Sequence, residues 1–434
     1  MKQVHKPRAV PSVSLPREEE LVTVDFSGSG SDSSIPLAAS GSTLHSTAIL
    51  LIGYVIFTTG NGLLCLLISL RLTQQPASQM SPMLAGVVQS AYYVGFALGA
   101  LSGGSLVTHI GHQRACIAFA AIPACCALAF PIWDAAWLWG ALRVVTGFCL
   151  MGTCTAVESW LHHVASNAQR CRMFSTYMIL NYLGLGAGQF LAVLGNPSSF
   201  ELFCIVSMLF TASLLPVALA NVTYAHLGTH DAHNREYHSH CRRGIAGLVT
   251  VYRGAPLGLV ACLAVGLLNG AFCSMQPVFM RHLNYSVADV SRFMGFSLLV
   301  ALVPQWPVAR LADKYDRRKV LLCLAMLASS LGLLLSRVQG SALIQACGYL
   351  YVASAFSMYG VIVSYVNDHT PASQRVAVSA GLLLIFSLGA SGGSTLASAA
   401  MAIAGPGSLY SVLALIAGGL ATWTLCCLIW EKYR

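Results

Sequence analysis

Charged residues are scarce in this chain. Asp, Glu, Lys and Arg make up 9% of its 434 residues, whereas they make up about a quarter of an ordinary soluble domain. Hydrophobic residues make up 56%. A soluble fold of this size could not bury so much apolar surface, so the scarcity of charge excludes a soluble protein. The solvent for most of the chain must be lipid.

The chain also lacks the motifs of several functional classes. Its 15 cysteines are odd in number and without zinc-type spacing, so we predict no disulfide framework, no metal site and no cofactor. No phosphate-binding loop of the Gly-x-x-x-x-Gly-Lys type is present, which argues against an ATP-driven pump. The formal charge of +9 comes from basic residues dispersed among short loops, so nucleic acid is not an expected partner.

Long apolar runs dominate the rest of the sequence. A helix needs about 20 mostly apolar residues to cross the hydrocarbon core of a membrane. Twelve such runs are present, six on each side of a polar segment. The runs are Ala48–Leu70, Pro82–Thr108, Ala115–Trp133, Ala135–Leu161, Phe174–Leu194, Ser199–Val222, Pro256–Met280, Val290–Leu311, Val320–Ser336, Ser341–Val366, Val376–Met401 and Gly407–Trp430.

The runs predict an all-α polytopic membrane protein with twelve transmembrane helices in two pseudo-symmetric six-helix bundles. We expect a polar, disordered tail over 1–44, bundles over 45–223 and 255–430, a central loop over 224–254 and a short terminal tail over 431–434. Because a long polar tail precedes the first run, that run is predicted to be a membrane helix and not a cleaved signal peptide.

The distribution of basic residues predicts the orientation. With the N-terminus in the cytoplasm, 19 of the 24 Lys and Arg residues fall on the cytoplasmic side. The opposite side receives only four, and one, Arg143, lies inside a helix. We therefore expect a multi-pass protein of the bacterial inner membrane with both termini in the cytoplasm.

The two halves are related in sequence. Adding 205 to the residue number takes Arg114 to Lys319, Leu183-Gly184 to Leu388-Gly389, and Gly188 to Gly393. One constant shift over separate regions indicates a duplicated six-helix unit. Repeats of this kind commonly enclose a substrate site between the halves, near the membrane midplane.

One loop has a specific motif. The segment Ala309-Arg-Leu-Ala-Asp-Lys-Tyr-Asp-Arg-Arg318 closely resembles the loop signature of the major facilitator superfamily, Gly-x-Leu-Ala-Asp-Arg-x-Gly-Arg-Arg, with Ala309 and Asp316 in place of its glycines. The segment from Gly104 to Arg114 is a weaker copy in the first half. Arg143-Val-Val-Thr-Gly147 is similar to the Arg-x-x-Gln-Gly element of the same family.

The resemblance spans residues 48–430 and implies a secondary transporter that works by alternating access. We expect a small polar or anionic organic solute as substrate, and protons as the coupling ion. The run Glu158-Ser159-Trp160 is similar to a subgroup of bacterial carriers. The fifth helix lacks the Gly-Pro pair of proton–drug antiporters, yet a drug or metabolite efflux carrier stays an alternative.

Arg143 and Glu158 are the informative ionisable residues of the spans. A charge within a membrane helix costs about 2.5–3.5 kcal/mol on insertion scales, so it normally faces a cavity or a partner. The two residues are about 22 Å apart along one helix and cannot pair. Arg143 could bind an anionic group, take part in proton coupling, which the family resemblance favours, or form a structural ion pair. For Glu158 we favour a latch to Arg114, Arg170 or Arg172 over a role as proton carrier.

Several uncharged polar side chains within the spans could line a water-filled cavity and bind a solute. Hydrogen bonds between helices, typically worth about 0.6 kcal/mol, are the alternative role for each of them. The candidates are Asn61, Gln89, Asn181, Asn269 and Gln276.

The loop signature and its weaker copy are predicted to act as gates. A short turn with an acid and several cations can link helix ends in one conformation and release them in another. Simple anchoring of the loops by positive charge is the alternative. The predicted gate residues are Arg310, Asp313, Arg317 and Arg318 in the signature, Gly104, Gly111 and Arg114 in the copy, and Glu158.

Two further functional classes are possible. A membrane enzyme would need clustered catalytic groups, and only His162-His163 is compact enough, so we predict no enzyme activity. A transporter-like receptor that binds solute without turnover remains a second possibility. His238-Ser-His240-Cys241 could bind a metal, but a merely polar loop is favoured. We expect a small solute, protons and lipid as partners, and no obligate protein partner.

Overall fold

The computed structural model describes residues 37–74, 81–133, 135–164, 170–219, 247–337, 341–371 and 374–432. The residues from Ser42 onwards form one compact unit, and the earlier described residues are the first residues of the first helix. Most of the predicted tail and most of the central loop, including His238 to Cys241, lie outside the described residues. The domain boundaries therefore stay predictions.

The described residues form helices and turns, with no strand. Twelve of the helical segments are long and apolar enough to cross a membrane, which confirms the predicted number of spans and the fold class. The helices are α1 (Leu37–Leu72), α2 (Pro82–Ile110), α3 (His112–Ala129), α4 (Ala136–Val164), α5 (Arg170–Phe190), α6 (Glu201–Ala212 and Leu214–Leu219), α7 (Pro256–His282), α8 (Val287–Val300 and Gln305–Lys314), α9 (Arg317–Leu335), α10 (Ser341–Asp368), α11 (Arg375–Ala404) and α12 (Ser408–Lys432).

Most helix ends follow the predicted runs to within a few residues. The start of α1 differs most, because α1 begins at Leu37, eleven residues before the predicted start at Ala48, so residues 37–44 of the predicted tail are helical. Residues 247–254 of the predicted central loop are helical as well.

The helix α3 differs at both ends. It begins at His112 and ends at Ala129, so the end of the predicted run, which extends to Trp133, forms a turn. The start is early because Gly111 alone separates α2 from α3. Its φ of 88° is rarely adopted by residues with a side chain, and it allows the chain to reverse within one residue.

The two bundles pack their helices in the same pattern. In the first bundle α2 packs on α4 and α3 on α6; in the second, α8 packs on α10 and α9 on α12. Equivalent helices therefore have equivalent neighbours, as a duplicated unit requires.

Equivalent glycines make equivalent close contacts. A Cβ on Gly184 or Gly188 of α5 would collide with Thr58 or Thr59 of α1, and a Cβ on Gly389 or Gly393 of α11 would collide with the backbone of α7. These glycines let the helix backbones approach closely. The shift of 205 residues therefore relates packing contacts as well as sequence.

The halves meet through α2 with α11 and through α5 with α8. We call the side with the α2–α3 and α8–α9 turns the basic face, and the side with the α3–α4 and α11–α12 turns the opposite face. Hydrogen bonds between the halves lie towards the opposite face: Ser291 Oγ donates to the Gln189 carbonyl at 2.5 Å, and Ser398 Oγ to the Met83 carbonyl at 3.4 Å. A ring contact between Phe190 and Phe296, 5.1 Å apart, lies at the same level.

Substitution of the packing glycines tests this duplicated contact. We expect Gly188→Ala and Gly393→Ala to destabilise the protein by about 1–3 kcal/mol, because the added methyl group overlaps backbone of a neighbouring helix. The measurement is thermal unfolding of the detergent-purified variants. Gly140→Ala and Gly419→Ala are matched controls, since nothing lies within 4 Å of their added Cβ. Equal stability of the four variants would contradict the account.

Candidate functional site

A central cavity lies between the two halves. It encloses about 740 Å³ of space between atoms, part of it open to solvent. Helices α1, α2 and α5 line it from the first bundle, and α7, α8 and α11 from the second. The lining residues are Asn61, Gly62, Cys65, Leu66, Tyr92, Tyr93, Phe96, Leu185, Gln189, Cys273, Pro277, Met294, Leu298 and Phe386.

Apolar and aromatic side chains make up most of the cavity wall, and its polar groups come from the first bundle. The Asn61 amide donates to the Tyr92 hydroxyl at 3.1 Å. Gln189 is 5% exposed, and its Oε1 atom has no hydrogen bond partner among the described residues. No charged residue is among those that line the cavity. The wall therefore offers aromatic surface with a few polar groups on one side.

Arg143 lies directly behind this wall. Its guanidinium carbon is 4.2 Å from the centre of the Tyr92 ring, in a cation–π contact, and the residue is 3% exposed. Its Nη2 donates to Gln89 Oε1 at 3.1 Å, and its Nη1 to the Cys65 sulfur at 3.6 Å. Its Nε atom has no hydrogen bond partner among the described residues. The predicted residues Arg143, Gln89 and Asn61 are thus brought together beside the cavity.

The charge of Arg143 has no acidic partner within 4 Å in the described part of the chain. Uncharged groups stabilise it instead, and they extend as a hydrogen-bonded chain. Gln89 Nε2 donates to Ser69 Oγ at 2.5 Å. Ser69 Oγ lies 3.1 Å from the Cys65 carbonyl of its own helix and 3.4 Å from the Ser274 carbonyl of the second bundle, so its one proton is shared between these two acceptors. Ser274 Oγ lies 2.7 Å from Ser394 Oγ. This chain connects α4 to α7 and α11, across the boundary between the halves.

Asn181 and Glu158 lie in a second polar cluster, nearer the basic face. The Tyr54 hydroxyl donates to Asn181 Oδ1 at 2.8 Å and lies 3.2 Å from the Tyr177 hydroxyl. The Tyr177 hydroxyl donates to Glu158 Oε1 at 3.1 Å. Within the described residues no arginine lies within 4 Å of Glu158. The side chain of Arg170 lies outside those residues, so the latch of Glu158 to Arg170 stays a prediction. Helix α5 turns Tyr177 towards the carboxylate, a rotation that helix spacing alone does not determine.

The two candidates on α7 are not among the residues that line the cavity. Gln276 is fully buried beside the Tyr410 hydroxyl, and neither atom of its amide has a hydrogen bond partner in the described structure. Asn269 is 9% exposed, and its Oδ1 is also without a partner there. Gln276 thus lies beside a residue of α12, within its own bundle.

The loop signature links three helix ends. Arg317, at the start of α9, lies 3.0 Å from Asp368 at the end of α10 and 3.7 Å from Asp313 at the end of α8. Arg310 stacks on Trp306, with its guanidinium carbon 3.6 Å from the ring centre. Most of the Asp313 side chain is exposed, which leaves it accessible to a further cation.

Asp316 caps α9 and so fixes the turn between α8 and α9. Its carboxylate accepts from the Arg318 backbone N–H at 2.9 Å and from the Arg318 guanidinium at 3.1 Å. Partial burial raises the pKa of Asp316, but the hydrogen bonds and charge of Arg318 outweigh it and hold the pKa below its usual value. The cap therefore stays charged at neutral pH.

The weaker copy of the signature makes contacts of the same kind without an acid. His112, at the position equivalent to Arg317, lies 2.8 Å from Ser159 Oγ of α4, and Gln113 donates to the Val217 carbonyl of α6 at 2.9 Å. Gly111 forms the turn, Gly104 is half-buried on α2, and Arg114 is exposed.

The main functional candidates that sequence reasoning missed are tyrosines. Tyr92 and Tyr93 line the cavity, and Tyr54 and Tyr177 join the second cluster. In an apolar helix a tyrosine follows the same pattern as any core residue, so periodicity gives no signal. The one available clue was spacing, since Tyr92 and Tyr93 lie one turn after Gln89.

Comparison with known proteins places this fold in a family. The model of the Major Facilitator Superfamily matches residues 50–394. The chain belongs to the major facilitator superfamily. It is also similar to the uncharacterised MFS-type transporter YcaD of Escherichia coli O45:K1 (strain S88), with 28% identity over 347 residues, 79% of this chain and 85% of that protein. A Yersinia pestis transporter of the same description is 26% identical and covers 81% of this chain and 88% of its own length. This transporter is therefore a multi-pass membrane protein.

Solved structures share the fold at low sequence identity. A point mutant of the nucleoside transporter NupG has a TM-score of 0.66 at 11% identity, with 89% of this chain and 99% of that chain covered. A D-xylose–proton symporter gives 0.65 at 14%, with 90% and 97% covered. The human organic anion transporter MFSD10 gives 0.62 at 14%, with 88% and 99% covered.

Removal of the contact between Arg143 and Gln89 should cause a measurable loss of stability. We expect Gln89→Met to destabilise the protein by about 2–4 kcal/mol, because it leaves a buried cation without its acceptor. The double variant Arg143→Met with Gln89→Met should recover much of this loss, because the charge is gone as well. Thermal unfolding in detergent measures both effects. A double variant less stable than Gln89→Met alone would contradict the assignment.

Proposed function

We propose that this transporter moves a small organic anion with an apolar body through the central cavity by alternating access. One observation supports it most: Arg143 is buried behind the cavity wall, and no acid of the described residues neutralises it. A guanidinium stays protonated in proteins, so its field reaches the cavity in every state of the transporter.

The size of this effect can be estimated. A solute against the far face of Tyr92 lies about 8 Å from the guanidinium, given the 4.2 Å to the ring centre and a contact distance of roughly 3.5–4 Å. At an effective dielectric constant of 20, a unit charge there gains about 2 kcal/mol. That energy corresponds to about a 30-fold contribution of the Arg143 charge to the affinity for an anion, relative to the same cavity without that charge.

The cavity wall supports an apolar body for the solute. Aromatic and aliphatic side chains cover most of it, so a hydroxyl-rich sugar would leave many hydrogen bonds unmade. About 180 Å³ of the cavity is open to a water-sized molecule, which is below the usual volume of small-molecule pockets, about 300–1,000 Å³, so the cavity in this conformation suits a small solute. MFSD10, which shares the fold, carries the description of an organic anion transporter.

We also propose proton coupling and an inner-membrane location with the basic face in the cytoplasm. The excess of basic residues on that face supports the orientation. The contacts between the halves towards the opposite face support a conformation closed on that side. A proton that moves together with a singly charged anion would make transport electroneutral, and a proton symporter is among the proteins that share the fold.

Reconstituted transport tests this function. Proteoliposomes with an internal pH dye would be supplied with benzoate, indole-3-acetate and their neutral amides. We expect wild type to move at least one carboxylate together with protons, in preference to its amide. Arg143→Met in the Gln89→Met background should lower that uptake by about tenfold or more, because it removes the field that favours the anion.

The matched control is Arg292→Met, an exposed arginine paired with Asp289, which should leave uptake unchanged. Equal uptake by the Arg143 variant and wild type would overturn the role of Arg143. Equal uptake of carboxylates and amides would overturn the anionic substrate. Binding without movement of any solute would favour the receptor alternative.

A further inference from the structure

We infer that Glu158 is a proton-binding site of this transporter, coupled to the cavity through hydroxyl and amide groups of Tyr177, Tyr54 and Asn181. The inference rests on the proposed proton-coupled transport and adds the group that holds the proton. Its structural basis is a hydrogen-bonded chain of four side chains from three helices, α4, α5 and α1.

Glu158 differs from the other acidic residues in its partner. Asp289 lies 2.9 Å from Arg292, and both Asp313 and Asp368 lie within 4 Å of Arg317. An arginine partner favours the charged form of a carboxyl group and holds it in that form. Within the described part of the chain, no lysine or arginine lies within 4 Å of Glu158.

A tyrosine partner permits both forms of the carboxyl group. When Glu158 is charged it accepts a hydrogen bond from Tyr177, as observed. When it is protonated, its own O–H can donate to the Tyr177 oxygen while the tyrosine hydroxyl turns towards Tyr54, 3.2 Å away. Glu158 as a whole residue is half-buried. Proton exchange then requires no ion pair to break.

The cluster is joined to the cavity along two helices. On α1, Asn61 follows Tyr54 by seven residues, and on α5, Gln189 follows Asn181 by eight, so each pair lies on one face of its helix. Asn61 and Gln189 both line the cavity. The rise along α5 between its two residues is about 12 Å. A change in the hydrogen bond between Tyr54 and Asn181 would therefore act on the same two helix faces that line the cavity.

Other titratable or charged groups come from each helix around Glu158. Tyr54 of α1, Cys154 of α4 and Tyr359 of α10 are close enough to interact with its charge. His112 of α3 hydrogen bonds to the adjacent Ser159. Among the described side chains, His109 of α2, Arg114 of α3, and Tyr177 and Arg172 of α5 also lie towards the basic face. Infrared difference spectroscopy separates a carboxyl group from all of these.

The direct test is a pH titration of purified protein in lipid, followed by infrared difference spectra. We expect a band of a protonated carboxyl group that titrates in wild type and is lost in Glu158→Gln. Tyr177→Phe should keep the band and shift its frequency, because one hydrogen bond is removed. Glu201→Gln, an exposed acid at the start of α6, is the matched control and should leave the band unchanged. A band that persists in Glu158→Gln, or its absence in wild type, overturns the inference.

Transport is the second readout. The solute is whichever carboxylate, among those supplied to the proteoliposomes, wild type moves fastest. Glu158→Gln should exchange that solute across the membrane at a rate within about twofold of wild type. Its accumulation of the solute, driven by a pH gradient, should be at least tenfold lower than that of wild type. Accumulation by Glu158→Gln at the wild-type level would overturn the inference about Glu158 and leave the proposed proton coupling in place. Absence of proton movement in wild type overturns the proposed coupling, whereas the infrared band still decides whether Glu158 binds a proton.

Discussion

The buried guanidinium of Arg143 is the constraint on which the surrounding structure depends. A charge at this depth costs about 2.5–3.5 kcal/mol on insertion scales, so the fold must supply partners for it. Gln89 and the Tyr92 ring do so, which fixes the rotation of α2 against α4. Gln89 in turn engages Ser69, and Ser69 reaches the second bundle. One buried charge thus specifies how three helices and both halves meet beside the cavity.

The duplicated architecture is symmetric in its packing and asymmetric in its chemistry. Gly188 and Gly393 make the same close helix contact in the two bundles. The polar groups beside the cavity come from the first bundle, with Arg143 towards the opposite face and Glu158 towards the basic face. The second bundle contributes apolar and aromatic wall such as Phe386. In the proposed function, the first bundle would select the solute and exchange protons, while the second completes the cavity wall.

The sequence predicted the architecture well because hydrophobicity decides it. The twelve apolar runs correspond to twelve spans. The larger errors lie at helix ends, where α1 begins at Leu37, ahead of the predicted run, and where a turn replaces the predicted end of α3. The site was predicted only in part. Arg143, Gln89 and Asn61 do come together, because polar groups within a membrane are stabilised by contacts with one another. Asn181 lies elsewhere because its helix rotation is set by packing, which spacing in one chain does not reveal.

The most direct test of the account is a comparison of binding constants for an aromatic carboxylate and its neutral amide, measured by calorimetry on purified protein in detergent. The account predicts that wild type binds the carboxylate more tightly than the amide. It also predicts that the ratio of the two affinities falls by about 30-fold when Arg143 and Gln89 are both replaced by methionine, because the charge of Arg143, about 8 Å away, is then removed. Equal affinity for the two compounds in wild type, or a ratio unchanged in the double variant, would contradict it.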